Sequence, residues 1–116
     1  MLNYYISDKK LELVKEKRID KDHLNFLLMM PEDLLKINVT SRAFYDSLRR
    51  LITIENFLES KESKTLKIEE ELKTLFGDFL FSRMRNNEPL EAIEIKKIRK
   101  FMKLKINKIK IIIKRS

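Results

Sequence analysis

A broad apolar stripe in residues 65–85, TLKIEEELKTLFGDFLFSRMR, most limits how this chain can fold. At ~100° per residue, Ile68, Leu72, Leu75, Phe76 and Phe79 share one side of a helix, and Leu80 and Met84 widen it. An arc that wide buries against two neighbouring elements rather than one. Arg83 falls within it, and a guanidinium there must snorkel to an edge or meet a carboxylate, because an unpaired buried charge is costly. Burying these side chains does not by itself offset the conformational entropy of ordering the whole segment. The helix needs neighbours, and the rest of the chain must supply them.

Those neighbours are helices too. One Gly and two Pro in 116 residues leave few places for hairpin turns, and Leu, Ile, Lys and Glu abound. The expected fold is all-α, a bundle of about five helices in residues 1–105 followed by a basic linker or strand remnant in 106–116. The absence of Cys removes disulfides and thiolate chemistry and suits a reducing, intracellular setting such as cytoplasm or nucleoid. MLNYYISDKK lacks the basic start and long apolar run of a signal peptide, and no apolar run approaches the ~20 residues of a membrane span. No membrane partner is expected.

Taken in order, Ser7 caps a helix running to about Arg18, with Ile6 and Leu11 as a hydrophobic staple and Val14 on its buried face. Asp20 or Asp22 starts the next helix, HLNFLLMM. Pro31 opens a short helix, PEDLLKI, which Asn38 ends in a left-handed conformation. Thr40 or Ser41 caps a helix from Arg42 to about Ser60. Phe44, Leu48, Leu51 and Leu58 share its inner face, Tyr45 and Ile52 flank it, and Arg49 and Arg50 point to solvent. SKESK forms the main internal loop. Gly77 marks a close approach inside the long 65–85 helix. Asn86, Asn87 and Pro89 break the chain before a last helix ending near Lys105, with Leu90, Ile93, Phe101 and Leu104 on one side. KIKIIIK then reads as a short strand that needs a pairing partner from elsewhere. No internal repeat and no sustained coiled-coil heptad is present.

Charge is concentrated at one end. Of the 26 Lys and Arg, ten lie in residues 96–116, where there is no acid, and the preceding residues are nearly balanced. This points to a polyanion such as DNA, or to an acidic protein face, reached by Lys103, Lys105, Lys108, Lys110, Lys114 and Arg115. The plainer alternative is a solubilising tail. A single Gly excludes a glycine-rich phosphate loop, and His23, the only histidine, lacks a second nitrogen or thiolate for a metal. No catalytic triad is suggested, and Asp20/Asp22 and Glu69 to Glu71 read as solvated helix residues. The expectation is a protein that is not an enzyme and carries no cofactor or metal.

Two binding readings remain. In the first, PEDLLKI, NVT and SRAFYDSLRRL form a helix-turn-helix whose second helix presents Arg42, Tyr45 and Arg49 to a DNA groove. That helix resembles recognition helices of winged-helix transcriptional regulators.

The second reading covers nearly the whole chain. LVKEKRIDKDHLNFLLMMPEDLL carries Glu16, Leu24, Leu27, Pro31 and Asp33; FYDSLRRLI, LKTLFGDFLFSRMR and NNEPLEAIEIKKIRKFM follow it. This order resembles the α-helical domain of GINS subunits, in the archaeal-type Sld-five/Psf-one-like branch. These replisome factors link the MCM helicase to its partner proteins. The resemblance implies a non-catalytic replication factor with a GINS partner subunit, MCM helicase and a RecJ-like protein as partners, in a homo- or heterotetramer. Leu72, Leu75, Phe76, Phe79, Leu80 and Met84 would be shared with a neighbouring subunit, and Arg83, in the place of the family's characteristic Arg, would be a structural ion-pair anchor. KIKIIIKRS resembles the first strand of the β-domain that follows in this branch.

Overall fold

The computed structural model describes residues 21–59, 61 and 64–115. They form five helices and, among the described residues, no strand: α1 Lys21–Asp33, α2 Ser41–Leu58, α3 Thr65–Phe76, α4 Asp78–Arg85 and α5 Ala92–Lys114. The fold is an all-α bundle. The expected helix near Ser7 lies outside the described residues.

Helix α2 runs through the middle and packs against each of the other four. Its sequence explains this position, because Phe44, Tyr45, Leu48, Leu51, Ile52, Ile54 and Phe57 are buried on almost all sides of it. Thr40 caps it, its hydroxyl oxygen accepting from Ala43 N. The next orphan donor, Arg42 N, bonds Asn87 Oδ1 at 3.1 Å, and Ser41 Oγ donates to the Glu88 carbonyl. The N-terminus of α2 is thus closed by the loop that follows α4.

Pro31 lies inside α1 rather than opening a separate helix. A proline has no N–H for the carbonyl four residues back, which here is Leu27. Arg50, expected in solvent, is buried instead and donates from Nη1 to that carbonyl at 3.2 Å. The chain leaves α1 through a turn at 34–37, where Arg99 from α5 donates to the carbonyls of Leu34 (2.9 Å) and Ile37. Asn38 is not left-handed; that conformation belongs to Asn87, at φ 57°.

The expected single helix over 65–85 is two. Gly77 joins them with φ 84° and ψ 154°, a region almost closed to other residues. A Cβ at Gly77 would meet nothing within 4 Å, so the backbone angle, not a close neighbour, requires glycine. Gly77→Ala is expected to cost ~1–3 kcal/mol in a denaturant titration. An unchanged midpoint would mean that the joint tolerates another geometry.

The break shifts the helical phase. Ile68, Leu72 and Phe76 stay in the core, and Leu80, Phe81 and Met84 continue it, while Leu75 and Phe79 turn outward. Arg83 pairs with Glu94, whose other oxygen accepts from Glu91 N at 2.9 Å, so one carboxylate ties α4 to the first turn of α5.

The last helix does not stop near Lys105, and KIKIIIK is not a strand. Helix α5 continues to Lys114 with Ile98, Met102, Ile106, Ile109 and Ile113 buried along one face. The same isoleucines satisfy period 2 locally and period 3.6 over the longer run. Tertiary burial outweighs the small helical disadvantage of β-branched residues. Residues 106–114 continue α5 and bury Ile106, Ile109 and Ile113 in the core.

Candidate functional site

Of the six residues expected at a shared interface, Leu72, Phe76, Leu80 and Met84 are in the chain's own core. Leu72 and Phe76 continue the buried Ile68 face of α3, and Leu80 and Met84 follow the Gly77 joint into the core on α4. Leu75 and Phe79 remain at the surface, and Phe79 borders a shallow groove with Phe76, Leu80, Ile93, Glu94 and Lys97. Arg83 lies over the Phe79 ring, 4.8 Å from its centroid.

The groove opens onto the outer face of α5. Phe79 is 78% exposed, Ile93 74%, Leu104 62% and Ile111 51%. The last three fall on the side of α5 opposite its buried stripe. Ile93 and Leu104 were expected on one side of the last helix with Leu90 and Phe101, which are partly buried against the core. The longer buried series from Ile98 to Ile113 fixes the rotation of α5 and turns Ile93 and Leu104 out. A 3.6-residue period carried through to residue 114 would have revealed this face.

Lysines surround these apolar side chains. Lys96, Lys97, Lys100, Lys103, Lys114 and Arg115 are exposed and form no ion pair with any described acid. Lys97 stands 5.9 Å from the Phe76 ring centroid.

The other half of the expected polyanion contact is engaged within the chain. Lys105 Nζ lies 2.6 Å from Glu55 Oε1, and Lys108 lies 3.1 Å from Glu55 Oε2 and 3.5 Å from Glu59. Lys110 pairs with Glu32 at 3.0 Å. Burial pushes the Glu55 carboxyl up, but the hydrogen bonds and charges of Lys105 and Lys108 outweigh it and hold the group below the usual carboxylate range. The hydrogen bond to Glu55 likewise raises Lys108. Of the six expected contacts, Lys103, Lys114 and Arg115 remain outward and unengaged among the described residues.

Arg42, Tyr45 and Arg49 do come together, but around a buried ring. Tyr45 is 2% exposed and packs edge-on against Phe81 at 5.7 Å, its hydroxyl donating to Glu69 Oε2 at 2.9 Å. Burial, then the Glu69 hydrogen bond and charge, push its pKa up to about 12. Arg42 and Arg49 lie over the ring, and Arg42 also bonds the Arg85 carbonyl at 2.9 Å. Tyr45 therefore cannot reach a base edge from this position, and the α2 N-terminus that a recognition helix would insert is covered.

Among the described residues, no group of three His, Cys, Asp or Glu converges on a point where a metal could sit, and no helix is long and apolar enough to cross a membrane. Phe79, Ile93, Leu104 and Ile111 together with the outward lysines make the exposed face of α4 and α5 both apolar and basic. The chain matches no family model, no curated protein and no solved structure.

Proposed function

We propose that this protein is a non-catalytic assembly subunit that docks a protein partner on the outer face of α4 and α5. The observation that carries the reading is the run of exposed Phe79, Ile93, Leu104 and Ile111 beside lysines that have no acid to pair with among the described residues. Solitary exposed apolar residues are ordinary, but several sharing one face mark an interaction surface. A desolvated aromatic such as Phe79 is the usual kind of anchor there.

The specific form of this reading is a GINS-like replication factor, bridging MCM helicase, a GINS partner subunit and a RecJ-like protein. The order of the helical passages and the Arg83–Glu94 tie at the end of α4 support it. The helical course of residues 106–114 departs from the strand that the resemblance implied, so support rests on the helical passages alone.

The test is capture from the native host with the wild-type chain and a Phe79→Ser/Ile93→Ser variant. Both positions are exposed, so the fold is expected to survive and the helical circular dichroism to stay unchanged. Helicase and partner subunits should be retained by the wild type and lost by the variant. Equal recovery by both proteins would sink the assigned face, and recovery without replisome subunits would sink the GINS-like form.

The unengaged Lys96, Lys100, Lys103, Lys114 and Arg115 support a second reading, salt-sensitive DNA binding without sequence preference. Its signature is an affinity that falls steeply with salt and is the same for scrambled duplexes.

A further inference from the structure

Resting on the assembly reading, we infer that the partner of the α5 face is an acidic amphipathic helix, laid along the seam formed by Ile93, Leu104 and Ile111. The seam has helix-pairing spacing. Ile93, Lys97, Lys100 and Leu104 follow at steps of four, three and four residues, and Ile111 and Lys114 lie seven and ten beyond Leu104. All six are exposed. At ~1.5 Å per residue, Ile93 and Ile111 stand ~27 Å apart, the length of a partner helix of about five turns. Phe79 extends the apolar part at the Ile93 end through the groove they share.

Charge selects among the occupants. A second copy of this chain would lay Lys97, Lys100 and Lys114 against the same lysines, in a segment with no acid from residue 96 onward. Like charges at such a seam are repulsive and oppose pairing of the seam with itself. A nucleic acid duplex would satisfy the lysines yet leave Phe79, Ile93, Leu104 and Ile111 with nothing apolar to meet. A helix with apolar residues on one stripe and carboxylates beside it meets both demands. The apolar residues bury against Ile93, Leu104 and Ile111, and the carboxylates reach Lys97, Lys100 and the neighbouring Lys103. Glu94, the acid nearest the groove, is already held by Arg83 and adds little repulsion.

The probe is a fluorescein-labelled helical peptide of about five turns with Leu at three- and four-residue spacing and Glu flanking it, titrated into the full chain by anisotropy. A matched peptide carrying Lys for every Glu and a labelled duplex DNA are the comparisons. The glutamate peptide should bind, the lysine peptide should not, and Ile93→Ser/Leu104→Ser should weaken the glutamate peptide by about tenfold or more. Binding should also weaken when salt is raised.

The proposal is overturned if the glutamate peptide fails to bind, if the lysine peptide binds as well, or if the double substitution leaves affinity unchanged. Tighter binding of the duplex, indifferent to Ile93 and Leu104, overturns it in favour of nucleic acid. Host capture that depends on Phe79 and Ile93, together with a failed glutamate peptide, would leave the assembly reading standing and remove the acidic helix alone.

Discussion

Replacing Arg50 by methionine is expected to destabilise the fold by about 2–4 kcal/mol, and by clearly less when Pro31 is replaced by alanine. Methionine keeps much of the volume of the arginine stem but supplies no donor. The Leu27 carbonyl, deprived of its helical partner by Pro31, is then left in a buried setting with no hydrogen bond from Arg50. An unsatisfied buried carbonyl alone accounts for ~1–3 kcal/mol, and loss of a buried guanidinium with its contacts supplies the remainder. In the Pro31→Ala background, the new backbone N–H restores the helical bond to the Leu27 carbonyl. A double-mutant cycle by urea denaturation should therefore show coupling of ~1 kcal/mol or more. Equal costs in the two backgrounds would mean that Arg50 stabilises the core for reasons unconnected with the proline.

The second large effect is at Glu55. Its carboxylate is almost wholly buried and takes ammonium groups from Lys105 and Lys108, joining α2 to the far half of α5. Glu55→Gln is expected to cost about 2–3 kcal/mol at neutral pH, below the full penalty of breaking a buried pair because Lys105 can tilt towards water. The pH dependence has a definite sign. The folded-state pKa of Glu55 is depressed, so the unfolded chain takes up the proton first as pH falls. Its contribution is fully present above the ordinary value of about 4.5 and is lost as pH drops through the lowered folded value. The glutamine variant should show a shallower acid limb in stability against pH. Parallel acid limbs would show that Glu55 does not set that slope.

At the alkaline end the signs reverse. Tyr45, raised to about 12, and Lys108, also raised, favour folding below their unfolded values. That contribution declines as pH climbs through the raised ones.

Helix identity was legible in this sequence, but helix rotation and boundaries were less so. The scarcity of Gly and Pro and the 3.6-residue spacing of Phe44, Leu48 and Leu51 sufficed for an all-α bundle. Thr40 or Ser41 was expected as the cap, and Thr40 fills the position. Pro31 was misplaced because its cost to α1 is relieved by Arg50, nineteen residues on, which no local pattern records. Gly77 read as a close approach within one continuous helix, and only its backbone angle shows that the stripe is reset there. That reset separates Leu72 and Phe76 in the core from Phe79 at the surface.

The candidate face was obscured for a related reason. Counting lysines in residues 96–116 located an excess of charge but not its direction. Glu32, Glu55 and Glu59, far away in sequence, claim three of those lysines. The exposed apolar residues of the face, Ile93 and Leu104, grouped with Phe101 because a helix ending at Lys105 puts them on one side. Extending α5 to Lys114 turns them outward.

The length of α5 also bears on when this protein can fold. Its five buried residues from Ile98 to Ile113 close the core that the four described helices before it leave open, and its Arg99 and Lys105 reach back to the turn after α1 and to the last turn of α2. On the ribosome those four helices emerge first, with α1 and α2 lacking the helix α5 that they pack against. Native structure therefore waits until α5 has cleared the exit tunnel. Until then, the nascent chain exposes its most apolar surface to whatever chaperone or partner is at hand.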